Sequence, residues 1–225
     1  LVLNPRPSRK PAPRGDIGLF LGCVARRYSV PAQQAAIDLL QRLGWSPVLP
    51  ADQGCCGAQA AHAGDAVRAN DLALANWRAF ASMSQVATLD SGCHEALADA
   101  VDSNAVGSKA IDLLDLLDAE PAFDQLPWRK QPERIAVFAP CTQRNVVHSD
   151  AALRRLLTRL PGVQTVWLDA GCCGAAGDHM LRFPERAKAL REPLLQQLSA
   201  SGCRQLLVAN TGCRLHLQVG IEQRG

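Results

Sequence analysis

The sequence predicts an α/β protein made of two duplicated halves, each with a parallel sheet and helices on both faces. Three observations lead to this prediction: an internal repeat, short apolar runs that alternate with longer amphipathic stretches, and cysteines that follow the apolar runs at matching positions. The chain has 225 residues, of which 48% are hydrophobic and 20% are charged. These proportions are typical of globular proteins with a substantial core.

The internal repeat covers most of the chain. When residues 17–93 are placed over residues 134–213, each cysteine of the first segment meets a cysteine of the second at an offset of 117 to 120 residues. The pairs are Cys23 with Cys141, Cys55 with Cys172, Cys56 with Cys173, and Cys93 with Cys213. The repeat predicts a first domain over residues 17–118, a proline-bearing connector over 119–133 and a second domain over 134–225. Residues 1–16, rich in proline and basic residues, are predicted to be a linker that follows an upstream segment.

Each half contains three short apolar runs that predict strands. These strands are Ile17–Leu21, Ser46–Leu49, Val86–Leu89, Ile135–Ala139, Val163–Leu168 and Gln205–Ala209. Stretches with helical periodicity lie between them: Pro31–Leu43, Asp65–Ala81, Ser149–Leu160 with Ser149 as N-cap, and Pro184–Ala200. Alternating strands and helices predict parallel sheets, and every repeated cysteine then lies just beyond the carboxyl end of a strand. Open α/β sheets bind their ligands at this edge.

The repeated cysteines are candidate metal ligands. Three loops at one sheet edge bring together four thiols in each half, a donor set that suits an iron–sulfur cluster or a tetrahedral zinc ion. Glycines flank both vicinal pairs and permit the tight backbone that two adjacent ligands require. Cys203 has no counterpart in the first half and is interpreted as a small apolar core residue.

Four polar residues also recur in the repeat. Arg26 and Arg144 each follow a cysteine by three residues, so each is either a guanidinium near an anionic cluster or a solvated loop residue. His62 and His179 each lie six residues after the second vicinal cysteine. Each histidine either contacts a cluster, moves a proton or replaces a ligand, or is a structural residue near a helix start. His94, beside Cys93, is a further candidate for contact with a cluster.

The doubled order of cysteine, Cys-Cys-Gly and Gly-Cys resembles the CCG cysteine-rich domain family. The resemblance rests on Gly18-Leu-Phe-Leu-Gly-Cys-Val24, Gln53-Gly-Cys-Cys-Gly-Ala58, His62-Ala-Gly64, Ser91-Gly-Cys93, Cys172-Cys-Gly-Ala-Ala-Gly177 and Asn210-Thr-Gly-Cys213. Within this family the sequence is most similar to glycolate oxidase iron–sulfur subunits and more distantly similar to the cysteine-rich subunit of heterodisulfide reductase. The resemblance implies Rossmann-like halves and [4Fe-4S] clusters, one or two, held by the eight repeated cysteines.

The sequence departs from the family pattern at two points. Asp90 and Asn210 replace the first cysteine of the Cys-x-x-Cys that ends each motif in the cysteine-rich subunit of heterodisulfide reductase, which leaves four thiols per half. This departure disfavours five-thiolate clusters, although Asp90 remains a candidate for a weak oxygen ligand. The ferredoxin-like Cys-x-x-Cys-x-x-Cys motifs that precede the cysteine-rich region in glycolate oxidase subunits do not occur in the sequence.

The resemblance implies an iron–sulfur electron-transfer subunit of a flavin-dependent 2-hydroxy-acid dehydrogenase of the glycolate or lactate type. Its expected partners are a flavoprotein subunit that carries the flavin, a ferredoxin-like domain or subunit, and a quinone or another electron acceptor. Two alternatives stay open: a thiol–disulfide enzyme of the heterodisulfide reductase kind, and a zinc-bound or metal-free assembly module.

Charge and motifs exclude several other classes. The net charge of +3 does not favour nucleic-acid binding. The sequence has no G-x-G-x-x-G or P-loop motif for phosphate binding, no Ser-His-Asp pattern and no apolar run of the roughly 18 residues that a membrane span requires. We expect a cytoplasmic protein without assigned catalytic residues, held at the inner face of the membrane only through its partners.

Overall fold

The computed structural model describes residues 11–102, 109–130, 133–169 and 171–224. The strands in these residues are all parallel and form two sheets, one in each half. The first sheet contains β1 (Gly15–Phe20), β2 (Trp45–Val48), β3 (Val86–Thr88) and β4 (Ala110–Asp112), in the order β2-β1-β3-β4. The second contains β5 (Arg134–Phe138), β6 (Gln164–Trp167) and β7 (Gln205–Val208), in the order β6-β5-β7. The predicted fold class is confirmed.

Helices flank both sheets. The α-helices are α1 (Ala25–Tyr28), α2 (Val30–Arg42), α3 (Ala58–His62), α4 (Ala66–Ala79), α5 (Ser91–Asp102), α6 (Leu113–Asp118), α7 (Asp150–Thr158), α8 (His179–Arg182), α9 (Pro184–Ser201) and α10 (Thr211–Glu222). The four predicted helices correspond to α2, α4, α7 and α9, with ends within about two residues. Ser149 stands at the N-cap position of α7, but its hydroxyl makes no capping hydrogen bond. No helix in the described parts of the chain is both long and apolar enough to cross a membrane.

Alternate residues of the central strands face different layers. In β1, Ile17 and Leu19 pack against the helices between the two sheets, whereas Phe20 packs on the outer side against Phe80. In β5, Val137 faces the middle of the molecule. This alternation follows from the two-residue period of a strand that is buried on both faces.

The middle layer joins the two halves in one core. Helices α2, α6 and α7 contribute leucines to a single buried cluster that also contains residues of β1 and β5. Helices α4 and α5 cover the outer face of the first sheet, and α9 and α10 cover the outer face of the second. The halves therefore fold against each other as consecutive layers of helix and sheet.

The predicted boundaries stay predictions, but the structure shows how two of them are built. Residues 1–10 of the predicted linker lie outside the described residues, and its last two residues already belong to β1. Within the predicted connector, Pro121–Gln125 forms a 3-10 helix whose Phe123 is buried, with the Arg159 guanidinium 4.7 Å from its ring centre. The described part of the connector therefore packs against the second half.

Two candidate cysteine metal centres

The four repeated cysteines of the first half meet at the carboxyl edge of the first sheet. Cys23 follows β1, the Cys55-Cys56 pair follows β2 and Cys93 lies in the first turn of α5, directly after β3. The Sγ atoms of Cys23 and Cys55 are 3.4 Å apart. The side chain of Cys56 interacts with those of both Cys55 and Cys93. The thiols therefore contact one another in the order of the sequence, although the loop after β1 lies between the other two at the sheet edge.

The second half repeats this sequence of contacts. The side chains of Cys141 and Cys172 interact, and the Sγ atoms of Cys173 and Cys213 are 2.8 Å apart. Cys213 lies in the first turn of α10, the position that Cys93 has in α5. The eight predicted ligands thus form two sets of four, each at the edge where a sheet of this topology binds ligands.

Burial differs within each set. Cys23 is exposed and Cys141 is half-buried, whereas the second member of each vicinal pair is enclosed, with 6% of Cys56 and 1% of Cys173 exposed. Cys203 is half-buried and packs at the edge of the outer core of the second half. Each candidate centre therefore has an inner thiol in the core and an outer thiol toward the surface.

The glycine after each vicinal pair has a steric role. Gly57 and Gly174 have φ values of +89° and +86°, which favour glycine because a side chain is strained there. A Cβ atom on Gly57 would lie 3.2 Å from the Ala69 carbonyl oxygen, and one on Gly174 would lie 2.6 Å from the Ala187 carbonyl oxygen. These glycines let the vicinal cysteines turn sharply against α4 and α9.

Two buried amide side chains hold the vicinal pair of the first half. Gln53 accepts a hydrogen bond from the Leu21 amide at 2.8 Å and donates one to the Leu19 carbonyl at 3.1 Å. Asn76, which is fully buried in α4, accepts from the Gly54 amide at 2.9 Å and donates to the Cys55 carbonyl at 2.7 Å. Sequence analysis does not single out Asn76, although it is the one residue of α4 that is buried.

The second half uses different side chains for this purpose. Gln197 of α9 makes two hydrogen bonds to the backbone of Asp169, at 2.9 and 3.0 Å. At the offset of the repeated vicinal pairs, Asn76 corresponds to Pro193, which has no side-chain amide. The two loops therefore have similar shapes but separate supports.

The paired arginines make equivalent contacts in the two halves. Arg26 donates to the Gln53 carbonyl and Arg144 to the Gly171 carbonyl, each at 2.9 Å and each just before a vicinal pair. Arg144 also lies 3.9 Å from the Asp169 carboxylate. Both guanidinium groups thus tie the loop that carries the vicinal pair to the loop that carries the first cysteine.

The paired histidines occupy different environments. His62 is exposed at the end of α3, whereas His179 begins α8, where its Nδ1 lies 3.1 Å from the Gly174 carbonyl oxygen and its ring packs on Phe183. His94 Nδ1 lies 2.7 Å from the Thr88 hydroxyl. The repeat therefore places His179, but not His62, in contact with a cysteine loop.

Most of the thiols are stabilised in their protonated form. Burial raises the pKa values of Cys23 and Cys141, and contact with Cys173 together with burial raises the pKa of Cys213. The pKa of Cys56 is raised to about 12, because contact with Cys93 and burial outweigh the lowering effect of Cys55. The hydrogen bond between Cys173 and Cys213 instead lowers the pKa of Cys173. Metal binding must displace these thiol protons, so its affinity depends on pH.

Asp90 links the two candidate centres. Its carboxylate accepts hydrogen bonds from the Gly92 amide, the Asn210 side-chain amide and the Thr211 amide, at 2.8 to 2.9 Å. Asn210 in turn accepts from the Cys213 amide at 3.0 Å. The oxygen-ligand role considered for Asp90 has no support in this arrangement, because both carboxylate oxygens bind groups that connect the halves.

The donor chemistry of both sets fits a polynuclear iron–sulfur cluster. Soft thiolates are its normal ligands, and a cluster distributes them over several iron atoms, whereas zinc collects four ligands at one point. Among the described residues, no three His, Cys, Asp or Glu side chains are grouped as ligands of a single metal ion.

The fold and the two cysteine sets define a duplicated cysteine-rich α/β protein. The profile of the family described as "CCG: Cysteine-rich domain" matches residues 17–98 and 135–218, and the chain therefore belongs to this family. The family resemblance stated from the sequence is confirmed.

Three relatives show how the similarity extends along the chain. The chain is 27% identical to the probable glycolate oxidase iron-sulfur subunit of Bacillus subtilis (strain 168), over 93% of this chain and 50% of the relative. The chain is 29% identical to the glycolate oxidase iron-sulfur subunit of Escherichia coli (strain K12), over 95% of this chain and 56% of the relative. The chain is 23% identical to lactate utilization protein A of Geobacillus kaustophilus (strain HTA426), over 93% of this chain and 92% of the relative. The chain thus spans about half the length of the first two relatives.

Proposed function

We propose that the chain is an iron–sulfur electron-transfer subunit of a flavin-dependent 2-hydroxy-acid dehydrogenase complex of the glycolate or lactate type. The observation that carries this proposal is the repetition of four contacting thiols at equivalent strand ends. Relatives named as iron–sulfur subunits of glycolate oxidase are similar to nearly the whole chain, which supports the choice of complex.

Each set of cysteines would hold one [4Fe-4S] cluster. The ligands are Cys23, Cys55, Cys56 and Cys93 in the first half, and Cys141, Cys172, Cys173 and Cys213 in the second. A cluster of this kind accepts and returns one electron at a time. Four thiolates per half match four irons, with one protein ligand for each iron.

The surrounding residues position and insulate the ligands. Asn76 fixes the backbone of the first vicinal pair, Gln53 ties the loop before that pair to the backbone around the end of β1, and Gln197 fixes the loop before the second pair. The nearly complete burial of Cys56 and Cys173 excludes water from one side of each centre, while Cys23 leaves the other side open. Limited solvent access and the hydrogen bonds around the sulfurs are features by which proteins set cluster potentials.

The partners follow from the chemistry that this chain does not supply. The flavin and the hydroxy acid would bind to a flavoprotein subunit, and a ferredoxin-like domain or subunit would carry further clusters. A quinone or another carrier would receive the electrons. The complex would be located in the cytoplasm, at the inner face of the membrane through its partners.

One observation favours a second candidate, a thiol–disulfide enzyme. The Cys173 and Cys213 sulfurs are in contact, and the pKa of Cys173 is lowered by that contact, as in nucleophilic cysteines. Both residues are buried, however, with 1% and 6% exposed. A disulfide substrate therefore has no direct access to either sulfur, and electron transfer remains our first proposal.

Metal content distinguishes these functions and the zinc-binding module. The chain is purified without oxygen, and its iron, acid-labile sulfide and zinc are measured together with its EPR spectrum. We expect about eight irons and about eight sulfides per chain when both sets are filled. Stoichiometric zinc without iron would assign the chain to the zinc module. Thiol–disulfide turnover by the iron-free protein would assign it to the second candidate.

A further inference from the structure

The edge of the first sheet shows how an outer strand and helix complete one half. β3 pairs with β1 on one side and with β4 on the other. Directly after β4, helix α6 crosses to α7, and its leucines 113, 116 and 117 join the core cluster that contains Leu153 and Leu156 of α7. The β4–α6 segment thus pairs with a strand and covers a helix of the opposite half.

The second half has the same surfaces without this cover. Within the described residues, β7, the counterpart of β3, pairs only with β5. Helix α2, the counterpart of α7, lines a cavity of about 530 Å³ with Ala32, Ala35 and Leu39. Val208 at the end of β7 and the Trp128 ring line other parts of the same cavity. We use the name α2–β7 groove for this cavity together with the adjoining edge of β7, which has no strand partner among the described residues.

The electrostatics of the first half indicate one position where an acidic side chain of an occupant would be stabilised. Helix α6 carries Asp115 and Asp118, and Asp118 forms an ion pair with Arg155 of α7 at 2.7 Å. Burial raises the pKa of Asp115, and the nearby charge of His94 opposes that effect. In the repeat, Arg214 occupies the position of His94 and lies in the wall of the α2–β7 groove. An acidic side chain on an occupant would therefore meet a cation at that position, whereas Asp38, Asp90 and Asp112 bring negative charge to other parts of the groove wall.

The contacts of Arg214 leave its charge available. Its guanidinium donates hydrogen bonds to the Tyr28 carbonyl at 2.5 Å, the Ser29 hydroxyl at 3.5 Å and the Gln218 side-chain oxygen at 3.2 Å. All three acceptors are neutral. A carboxylate beside this group would gain a charge-assisted hydrogen bond.

We propose that the α2–β7 groove binds a segment of a partner polypeptide that forms a strand beside β7 and a leucine-rich helix across α2, with one carboxylate beside Arg214. The internal repeat supplies the template, because β4 and α6 occupy the equivalent surfaces of the first half. Addition of a strand to a free sheet edge is a common mode of peptide recognition, since main-chain hydrogen bonds give affinity and side-chain pockets give specificity. The proposal does not depend on which metal the cysteines bind.

A fusion protein tests whether the groove accepts such a segment. In the first half, seven residues (103–109) separate α5 from β4. A copy of Ala110–Glu120 is therefore joined to Gly225 through a flexible linker of about four Gly and Ser residues, which reproduces this spacing. Hydrogen exchange is then measured at the amides of Leu206–Val208 in the fused and the original chains.

We expect the fusion to slow exchange at these three amides roughly tenfold, because they gain strand partners or become covered. Ala35→Arg places a bulky charge in the groove and should restore fast exchange. Gln34→Arg, at an exposed position of the same helix outside the groove, is the matched control and should leave exchange slow. Unchanged exchange in the fusion, or equal exchange in the two variants, would overturn the proposal. A dimeric original chain that Ala35→Arg dissociates would also overturn it and assign the groove to a second copy.

Discussion

The two halves agree closely in their cysteines and differ in the side chains that hold them. Cys55 and Cys172 stand at the same place after a strand, and the glycine that ends each vicinal pair has the same positive φ. Yet buried Asn76 anchors the first loop, whereas half-buried Gln197 anchors the second. The thiol set and its glycine turn are therefore the shared requirement of the site. The side chain that anchors each loop comes from the helix that packs against that loop, and this helix differs in sequence between the halves.

The halves also differ at their outer edges and at the junction between the candidate centres. The first half has β4 and α6 beyond β3, and the described second half ends its sheet at β7. At the junction, Asp90 receives three hydrogen bonds and Asn210 connects it to the Cys213 backbone. The duplication is therefore closest around the thiols and weakest in the surfaces that face outward.

The largest effect is expected from replacing a ligand in one half only. Cys56→Ser should remove the cluster of the first half and leave the second near normal, because the ligand sets are separate and their losses should be independent. Cys173→Ser should have the mirror effect. Iron quantitation on anaerobically prepared variants should give about half the iron of the parent chain.

Cys203→Ser is the matched control for these ligand variants, since Cys203 lies outside both sets. Its iron content should equal that of the parent chain. Loss of all iron from Cys56→Ser would show that the two halves do not bind metal independently.

The glycine turns offer a comparison of steric cost. Gly174→Ala should destabilise the protein by about 3 kcal/mol, because a strained φ adds to a close approach of Cβ to a backbone oxygen. Gly57→Ala has the same strain with more room, at 3.2 Å instead of 2.6 Å, and should cost about 1–2 kcal/mol. Chemical denaturation of both variants measures the difference, and an equal or reversed order would contradict the steric explanation.

The two side-chain amides that support the cysteine loops should also differ in how much they contribute to the free energy of unfolding. Asn76→Ala leaves the Gly54 amide and the Cys55 carbonyl without their partner inside the protein, and we expect a loss of about 2–3 kcal/mol in the free energy of unfolding. Gln197→Ala, at a half-buried position where water can substitute, should cost about 1 kcal/mol or less. The comparison requires chelator-treated protein, so that the metal does not mask the difference.

The smallest expected effect is a pH dependence of the stability of the metal-free chain. The pKa of Cys56 rises from 9.0 to about 12 on folding. Above pH 9 the unfolded chain therefore loses a proton that the folded chain retains, and this contribution to stability is lost as the pH rises toward 12. Between pH 8 and pH 10 the free energy of unfolding should fall by about 1 kcal/mol through this thiol.

Cys56→Ser should reduce that fall in the reduced, metal-free protein, whereas Cys203→Ser should leave it unchanged. Denaturant titrations at several pH values measure both. If the free energy of unfolding falls with pH as steeply in Cys56→Ser as in the parent chain, Cys56 does not cause the pH dependence.

The sequence predicted much of this molecule because the repeat compares the chain with itself. Strand ends at Cys23 and Cys141 could be placed from apolar runs that stop at equivalent cysteines, and α2, α4, α7 and α9 have clear helical periodicity. The sequence does not predict helices α5 and α10, because they begin within the Gly-Cys turns, where glycine favours a loop. β4, with three residues, is too short for periodicity to reveal.

The supports of the site were harder to predict than its ligands. Nothing local in the sequence distinguishes Asn76 from a solvated helix residue, since its partners are more than twenty positions away. The pairing of His62 with His179 suggested equivalent roles, but one is exposed and the other contacts a cysteine loop. Asp90 likewise links the halves through contacts that only the folded chain brings together.

The proposed function requires that each half carries electrons on its own set of thiolates. A stepwise reductive titration of the anaerobic, iron-loaded chain, followed by optical absorbance and EPR, tests this requirement directly. We expect uptake of about two electrons by the parent chain and about one by Cys56→Ser. An iron-loaded parent chain that takes up no electrons, or a Cys56→Ser chain that takes up as many as the parent, would contradict the proposed function.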